Sequence, residues 1–137
     1  MALARTPASR LVAGLSPWAG ATAEHSESFR FEALSLLESA KTKLAEIEAK
    51  PPADASSTSV AVLHPMHLAV KALLAAKGVK ARSTRATLDL LPGLYAGVLP
   101  PERIADYVGV QRLEIQGAKA IEATRTLLAA AGALLAA

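Results

Sequence analysis

Apolar residues along this chain recur at steps of three and four, the spacing of one face of an α-helix. Over residues 26–50, Phe29, Ala33, Leu36, Leu37, Ala40, Leu44 and Ile47 form a single stripe. Arg30, Glu38, Lys41, Thr42 and Glu46 fall mainly on the other side, giving an amphipathic helix. Glu46 and Lys50 add an i,i+4 pair in the favourable order. Pro51 and Pro52 end this helix, since proline lacks an N–H and disfavours helix at the residue before it. A small, polar loop then covers 51–57.

The next apolar stretch, 57–77, differs in kind. Its apolar residues surround the axis, which predicts a central helix. Pro65 lies within it, so the helix either kinks there or starts there. Gly78 suits the first position past its end. A short helix is predicted over 83–91, with Ser83 as N-cap and Pro92-Gly93 as its stop. Pro100 and Pro101 open a fourth helix, with Glu102 placed where the helix dipole favours an acid. Ile104, Val108 and Leu113 are its candidate inward residues, and a break is expected near Gly109 or Gly117. A last helix covers 117–135, with Ile121, Thr124, Leu128, Ala131 and Leu135 on one face. The pattern predicts an all-α, up-and-down bundle of four to five helices.

Composition supports this reading. Of 137 residues, 31 are alanine and 21 leucine, while aromatics make up only 4%. Strong helix formers dominate and strand formers are scarce, which excludes an all-β fold. The absence of cysteine excludes disulfides, cysteine zinc sites and thiol nucleophiles. Mean hydropathy is +0.30, yet the uncharged run 127–137 is too short and too rich in alanine to span a bilayer, and His64, Pro65, His67 and Lys71 interrupt 60–74. A membrane protein is not expected. The net charge of +3 is compatible with anionic partners without marking a dedicated nucleic-acid arm.

Residues 1–22 read as a flexible extension ahead of a bundle over 23–137. No acid precedes Glu24, and Arg5 and Arg10 are the only charges before it. Such a stretch is typical of an organellar transit peptide. An extension of a prokaryotic, cytoplasmic protein is the preferred reading, and mitochondrial targeting is the alternative.

The run His67-Leu-Ala-Val-Lys-Ala-Leu-Leu-Ala-Ala-Lys-Gly78 and its continuation Val79-Lys-Ala-Arg-Ser-Thr-Arg-Ala-Thr-Leu-Asp-Leu-Leu91 resemble the second core helix, basic turn and short helix of the HEPN superfamily. Glu32 to Lys41 and Ala118 to Leu128 are similar to its first and closing helices. The resemblance covers about residues 26–136 and implies a HEPN-like bundle that dimerises. Members of that family include ribonucleases, nucleotide-binding modules and non-catalytic partners of small nucleotidyltransferases. Its ribonuclease signature is an arginine followed, four to six residues on, by a histidine. Such a pair moves the 2′-hydroxyl proton and stabilises phosphorane charge. Here Arg103 and Arg112 stand in the right region with no histidine after them. Tyr107 completes the set of candidate catalytic residues, its alternative role being that of a half-buried tyrosine beside a salt bridge of Asp106.

Candidate binding residues lie upstream. Lys71, Lys77, Lys80, Arg82 and Arg85 are five cations in 15 residues without an intervening acid, a pattern that reads as a solvated turn with Lys77 favourably placed at a helix C-terminus, or as a phosphate contact. His64 and His67 share a helical face; two imidazoles alone make no zinc site, and they read as core-edge or dimer-facing residues, with contact to a nucleotide as the alternative. No metal or cofactor is expected. No aromatic interleaves the cations, which disfavours a base-stacking RNA reader, and no Gly-Lys-Ser/Thr phosphate loop is present. The expectation is a dimeric, non-catalytic HEPN-like module that binds a nucleotide or RNA and partners a separate nucleotidyltransferase, as in toxin–antitoxin pairs. The alternatives are a divergent metal-independent ribonuclease and a structural subunit of an organelle complex.

Overall fold

The computed structural model describes residues 23–136. The helices are α1 (Ala23–Ala49), α2 (Ala55–Ala76), α3 (Thr84–Leu94), α4 (Pro101–Gln111) and α5 (Ala118–Ala136). Among the described residues there is no strand, and these five helices form an all-α, up-and-down bundle. The N-terminal extension 1–22, with its transit-peptide reading, lies outside the described residues.

α1 buries the predicted stripe: Ala33, Leu37, Ala40 and Leu44 are in the core, flanked by the half-buried Leu36 and Ile47. Each fully buried leucine contributes about 1.5–3 kcal/mol through removal of apolar surface from water. α1 lies mainly on α2 and secondarily on α5. An exposed ion pair between Glu48 and Arg125 links it to α5.

α2 is the central element, as its all-round apolar pattern predicts: it packs against α1, α3, α4 and α5. It begins at Ala55, earlier than residue 57, because Asp54 caps it. The Asp54 carboxylate accepts the Ser57 N–H at 2.7 Å and the Ser56 hydroxyl at 3.0 Å, satisfying donors that the first turn leaves open. Pro65 is buried inside the helix and does not start it. Among the described residues α2 is the one helix long and apolar enough to cross a membrane, and 56% of its most apolar window is buried inside the bundle. The buried Ser59 hydroxyl donates to the Ile115 carbonyl at 2.8 Å, and the Gly117 N–H donates to the Ala55 carbonyl at 3.1 Å. These bonds fix the start of α5 beside the start of α2.

The end of α2 sets up the site. Gly78 adopts φ +69°, its N–H bonds to the Ala75 carbonyl at 2.9 Å, and the Val79 N–H bonds to the Leu74 carbonyl at 3.0 Å. This is a Schellman closure with glycine at the left-handed position. A side chain at Gly78 would also collide with the Phe29 ring, an added Cβ lying 2.5 Å from it. The closure turns the chain sharply into residues 79–83.

α3 starts where Ser83 was expected to cap it, the Ser83 hydroxyl accepting the Ala86 N–H at 3.1 Å. It does not stop at Pro92-Gly93 but continues to Leu94. Pro92 deprives only the Leu88 carbonyl of its helical donor, and the Tyr95 N–H still reaches the Leu91 carbonyl at 3.1 Å. A proline so near a helix end therefore removes one bond without breaking the last turn.

α4 opens on Pro100 and Pro101 with Glu102 in its first turn. Its inward residues are corrected: Tyr107 and Val110 fill the core, Ile104 and Val108 are half-buried, and Leu113 is exposed. Leu113 lies past the helix end at φ +59°. The Glu114 N–H bonds to the Gly109 carbonyl at 2.8 Å and the Leu113 N–H to that of Val110 at 3.1 Å. This is a second Schellman closure with leucine at the left-handed position. α5 buries Thr124, Leu128, Ala131 and Leu135 as predicted, with Ala120, Ala123 and Leu127 beside them.

Candidate anion-binding groove

Where α1, α2 and the start of α3 diverge, they leave a groove of about 440 Å³. α1 contributes Glu32 and Leu36, one turn apart; α2 contributes His67, Lys71 and Leu74, again at helical spacing. The turn after Gly78 supplies Val79, Lys80 and Arg82. α3 closes the groove with Ser83, Thr84 and Thr87, presenting the positive end of its dipole. The lining thus combines apolar residues with three cations and one carboxylate.

His67 is half-buried in the site. Its Nδ1 lies 3.0 Å from the Tyr107 hydroxyl, and Tyr107 is itself buried, 2% exposed. The Thr84 side chain also hydrogen-bonds to Tyr107. One phenol therefore joins α2, α3 and α4 beneath the groove. Burial lowers the His67 pKa, and the charges of Lys71 and His64 lower it further, because each disfavours a second positive charge there. Burial raises the Tyr107 pKa, opposed by the Thr84 hydrogen bond, so the phenol stays protonated.

The predicted binding residues divide. His67, Lys71, Lys80 and Arg82 line the groove, while His64, Lys77 and Arg85 do not. His64 and Arg85 are exposed to solvent. The ammonium of Lys77 sits over the Tyr95 ring, 5.0 Å from its centroid, an attraction between cation and aromatic face.

The candidate catalytic residues are also separated. Tyr107 reaches His67, but neither Arg103 nor Arg112 lines the groove. Arg103 pairs with Asp106 at 3.5 Å, and its Nε is buried without a hydrogen-bond partner. Arg112 is exposed and its backbone caps the end of α4. Asp106 forms the salt bridge anticipated for it, whereas Tyr107 is fully rather than half buried. Sequence reasoning missed Glu32, Thr84 and Thr87 as groove residues. The i,i+4 spacing of Glu32 and Leu36 beside the α1 stripe was the available signal for that wall.

Among the described residues, no three histidine, aspartate or glutamate side chains are grouped to hold a metal ion. Compared with protein-family models, with characterised proteins and with solved structures, the chain matches none.

Proposed function

We propose that this chain is a non-catalytic, HEPN-like helical module that binds a nucleotide through its phosphate in the α1/α2/α3 groove. The observation that carries this reading is the meeting of His67, Lys71, Lys80 and Arg82 around one cavity. Its volume of about 440 Å³ falls at the low end of the small-molecule range of about 300–1,000 Å³. Three cations and a helix N-terminus favour phosphate, and Leu36, Leu74 and Val79 offer apolar surface to the rest of a small ligand. No Phe, Tyr or Trp lines the groove, which favours a mononucleotide over a stacked RNA strand.

The module acts as a homodimer in the cytoplasm and partners a separate nucleotidyltransferase, in keeping with the HEPN resemblance. Phe31 and Leu34, neighbours on α1 that are 77% and 41% exposed, support a further apolar contact surface. Calorimetric titration with 5′-AMP tests the groove. Lys80→Ala with Arg82→Ala abolishes binding, and Arg125→Ala, on the far α1/α5 surface, leaves it intact. Equal affinity in the double variant overturns the reading.

A metal-independent ribonuclease is the second reading, favoured by the contact between His67 and Tyr107. Its arginine is missing from that contact, since Arg103 is paired with Asp106. Cleavage of labelled RNA that disappears in His67→Gln would support it over the non-catalytic module.

A further inference from the structure

The charge around the groove is sufficient to specify the state of the phosphate it takes. Lys71, Lys80 and Arg82 carry three positive charges and Glu32 one negative charge, a net of +2 (3 − 1) while His67 is neutral. A phosphate monoester is a dianion above its second pKa of about 6, whereas an internal phosphodiester carries one charge. We propose that the groove selects a terminal, doubly charged phosphate over a phosphodiester, and that His67 is the residue that sharpens this choice.

The geometry around His67 supports the role. Nδ1 is taken by the Tyr107 hydroxyl, which leaves Nε2 as the ring nitrogen open to a ligand. Tyr107 also bonds to Thr84, and a hydroxyl both donates and accepts. In one direction Tyr107 donates to Nδ1, and a neutral His67 presents Nε2–H to the groove. In the other, Nδ1–H donates to Tyr107, and a protonated His67 presents the same Nε2–H with a positive charge. The Tyr107–Thr84 pair accommodates either form, so His67 is a donor in both and gains charge when the ligand brings it.

The charges of Lys71 and His64 on α2 act on this imidazole, and Tyr107 from α4 meets its Nδ1; Glu32 from α1, Lys80 and Arg82 from the turn, and the hydroxyls of Ser83, Thr84 and Thr87 line the same groove. Without ligand, burial first and then the charges of Lys71 and His64 disfavour the imidazolium. A dianion offsets them and favours the imidazolium, whereas a monoanion offsets them less.

The proposal rests on the nucleotide-binding reading, and its test separates the two. Affinities of the full chain for 5′-AMP and for adenosine 5′-(methyl phosphate) are measured by calorimetry at pH 8 and pH 5. The two ligands share base and ribose and differ by one charge at pH 8. The expected preference for AMP at pH 8 is up to about fivefold, the upper end of what one exposed ion pair contributes. It shrinks toward one at pH 5, where both phosphates are singly charged, and it narrows at pH 8 in His67→Gln. Equal affinities in the wild type at pH 8 overturn the selectivity while leaving the groove reading intact. A preference unchanged in both His67→Gln and Tyr107→Phe overturns the role of His67. Failure of either ligand to bind overturns the groove reading and the selectivity together.

Discussion

The Nδ1 of His67 on α2 lies 3.0 Å from the hydroxyl of Tyr107 on α4, a contact between residues 40 positions apart in sequence. Tyr107 is 2% exposed, so its hydroxyl depends on protein partners. Tyr107→Phe leaves the imidazole and the Thr84 hydroxyl without this partner and is expected to cost about 1–3 kcal/mol. Urea denaturation at pH 7.5 checks the loss. The change also affects pH dependence through His67, whose folded pKa is lowered. As pH falls through the unfolded value near 6.5, the unfolded chain binds the proton first and stability declines. His67→Gln removes that component, so its stability is flatter with pH than the wild type below neutrality.

Tyr95 forms the other tyrosine contact of structural weight. At the C-terminus of α2, the Lys77 N–H bonds to the Leu74 carbonyl, and the Leu73 carbonyl accepts the Tyr95 hydroxyl instead. Burial raises the Tyr95 pKa to about 12. The unfolded phenol ionises near 10, so this contribution is complete below pH 10 and is lost as pH rises toward 12. Tyr95→Phe is expected to cost about 1–3 kcal/mol at neutral pH by leaving a buried carbonyl unpaired. Absorbance at the tyrosinate band checks the ionisation: at about pH 10.5 the folded chain shows less tyrosinate than the unfolded chain, and unfolding releases the difference.

The two Schellman closures respond oppositely to exchange at their left-handed positions. Leu113, at φ +59° and 42% exposed, holds a conformation that costs a non-glycine residue about 1–2 kcal/mol. Leu113→Gly is therefore expected to stabilise the chain by about 1 kcal/mol, or roughly 4 °C in melting temperature. Gly78→Ala acquires the same backbone penalty and must displace the Phe29 ring, so it destabilises by more than about 1 kcal/mol. Because Gly78 also directs the turn bearing Lys80 and Arg82, this variant is also expected to weaken the nucleotide binding proposed for the groove. Paired thermal melts settle both signs.

Asp54 governs the start of α2. The hydrogen bond from the Ser57 N–H is the main cause of its lowered pKa, helped by the Ser57 and Ser56 side chains. A carboxylate lowered on folding stabilises above its unfolded pKa of about 4, and the effect disappears as pH falls through the folded value. Asp54→Ala is expected to melt below the wild type at pH 7, with the gap closing in acid. A gap that persists when the carboxylate is protonated contradicts the capping role.

Helix number, order and the central place of α2 are legible in sequence because they follow from apolar periodicity, which needs only local information. The α1 stripe and the stops at Pro51-Pro52 and Gly78 are of this kind. Misread boundaries arose where local rules competed. Asp54 captured the α2 start ahead of Ser57, and α3 passed Pro92 because only the Leu88 carbonyl lost its donor. The groove was half legible. Lys71, Lys80 and Arg82 stand out as a charge run, but only tertiary packing sets Lys77 over Tyr95, brings Glu32 into the same groove, and joins His67 to Tyr107.

Chemical-shift mapping of the labelled chain with 5′-AMP tests the central claim most directly. The account predicts saturable shifts at His67, Lys71 and the amides of residues 79–87, with smaller changes at Glu32 and Leu36 and none along the exposed face of α5. Shifts confined to α4 and α5, or none at the groove with AMP in millimolar excess, contradict it.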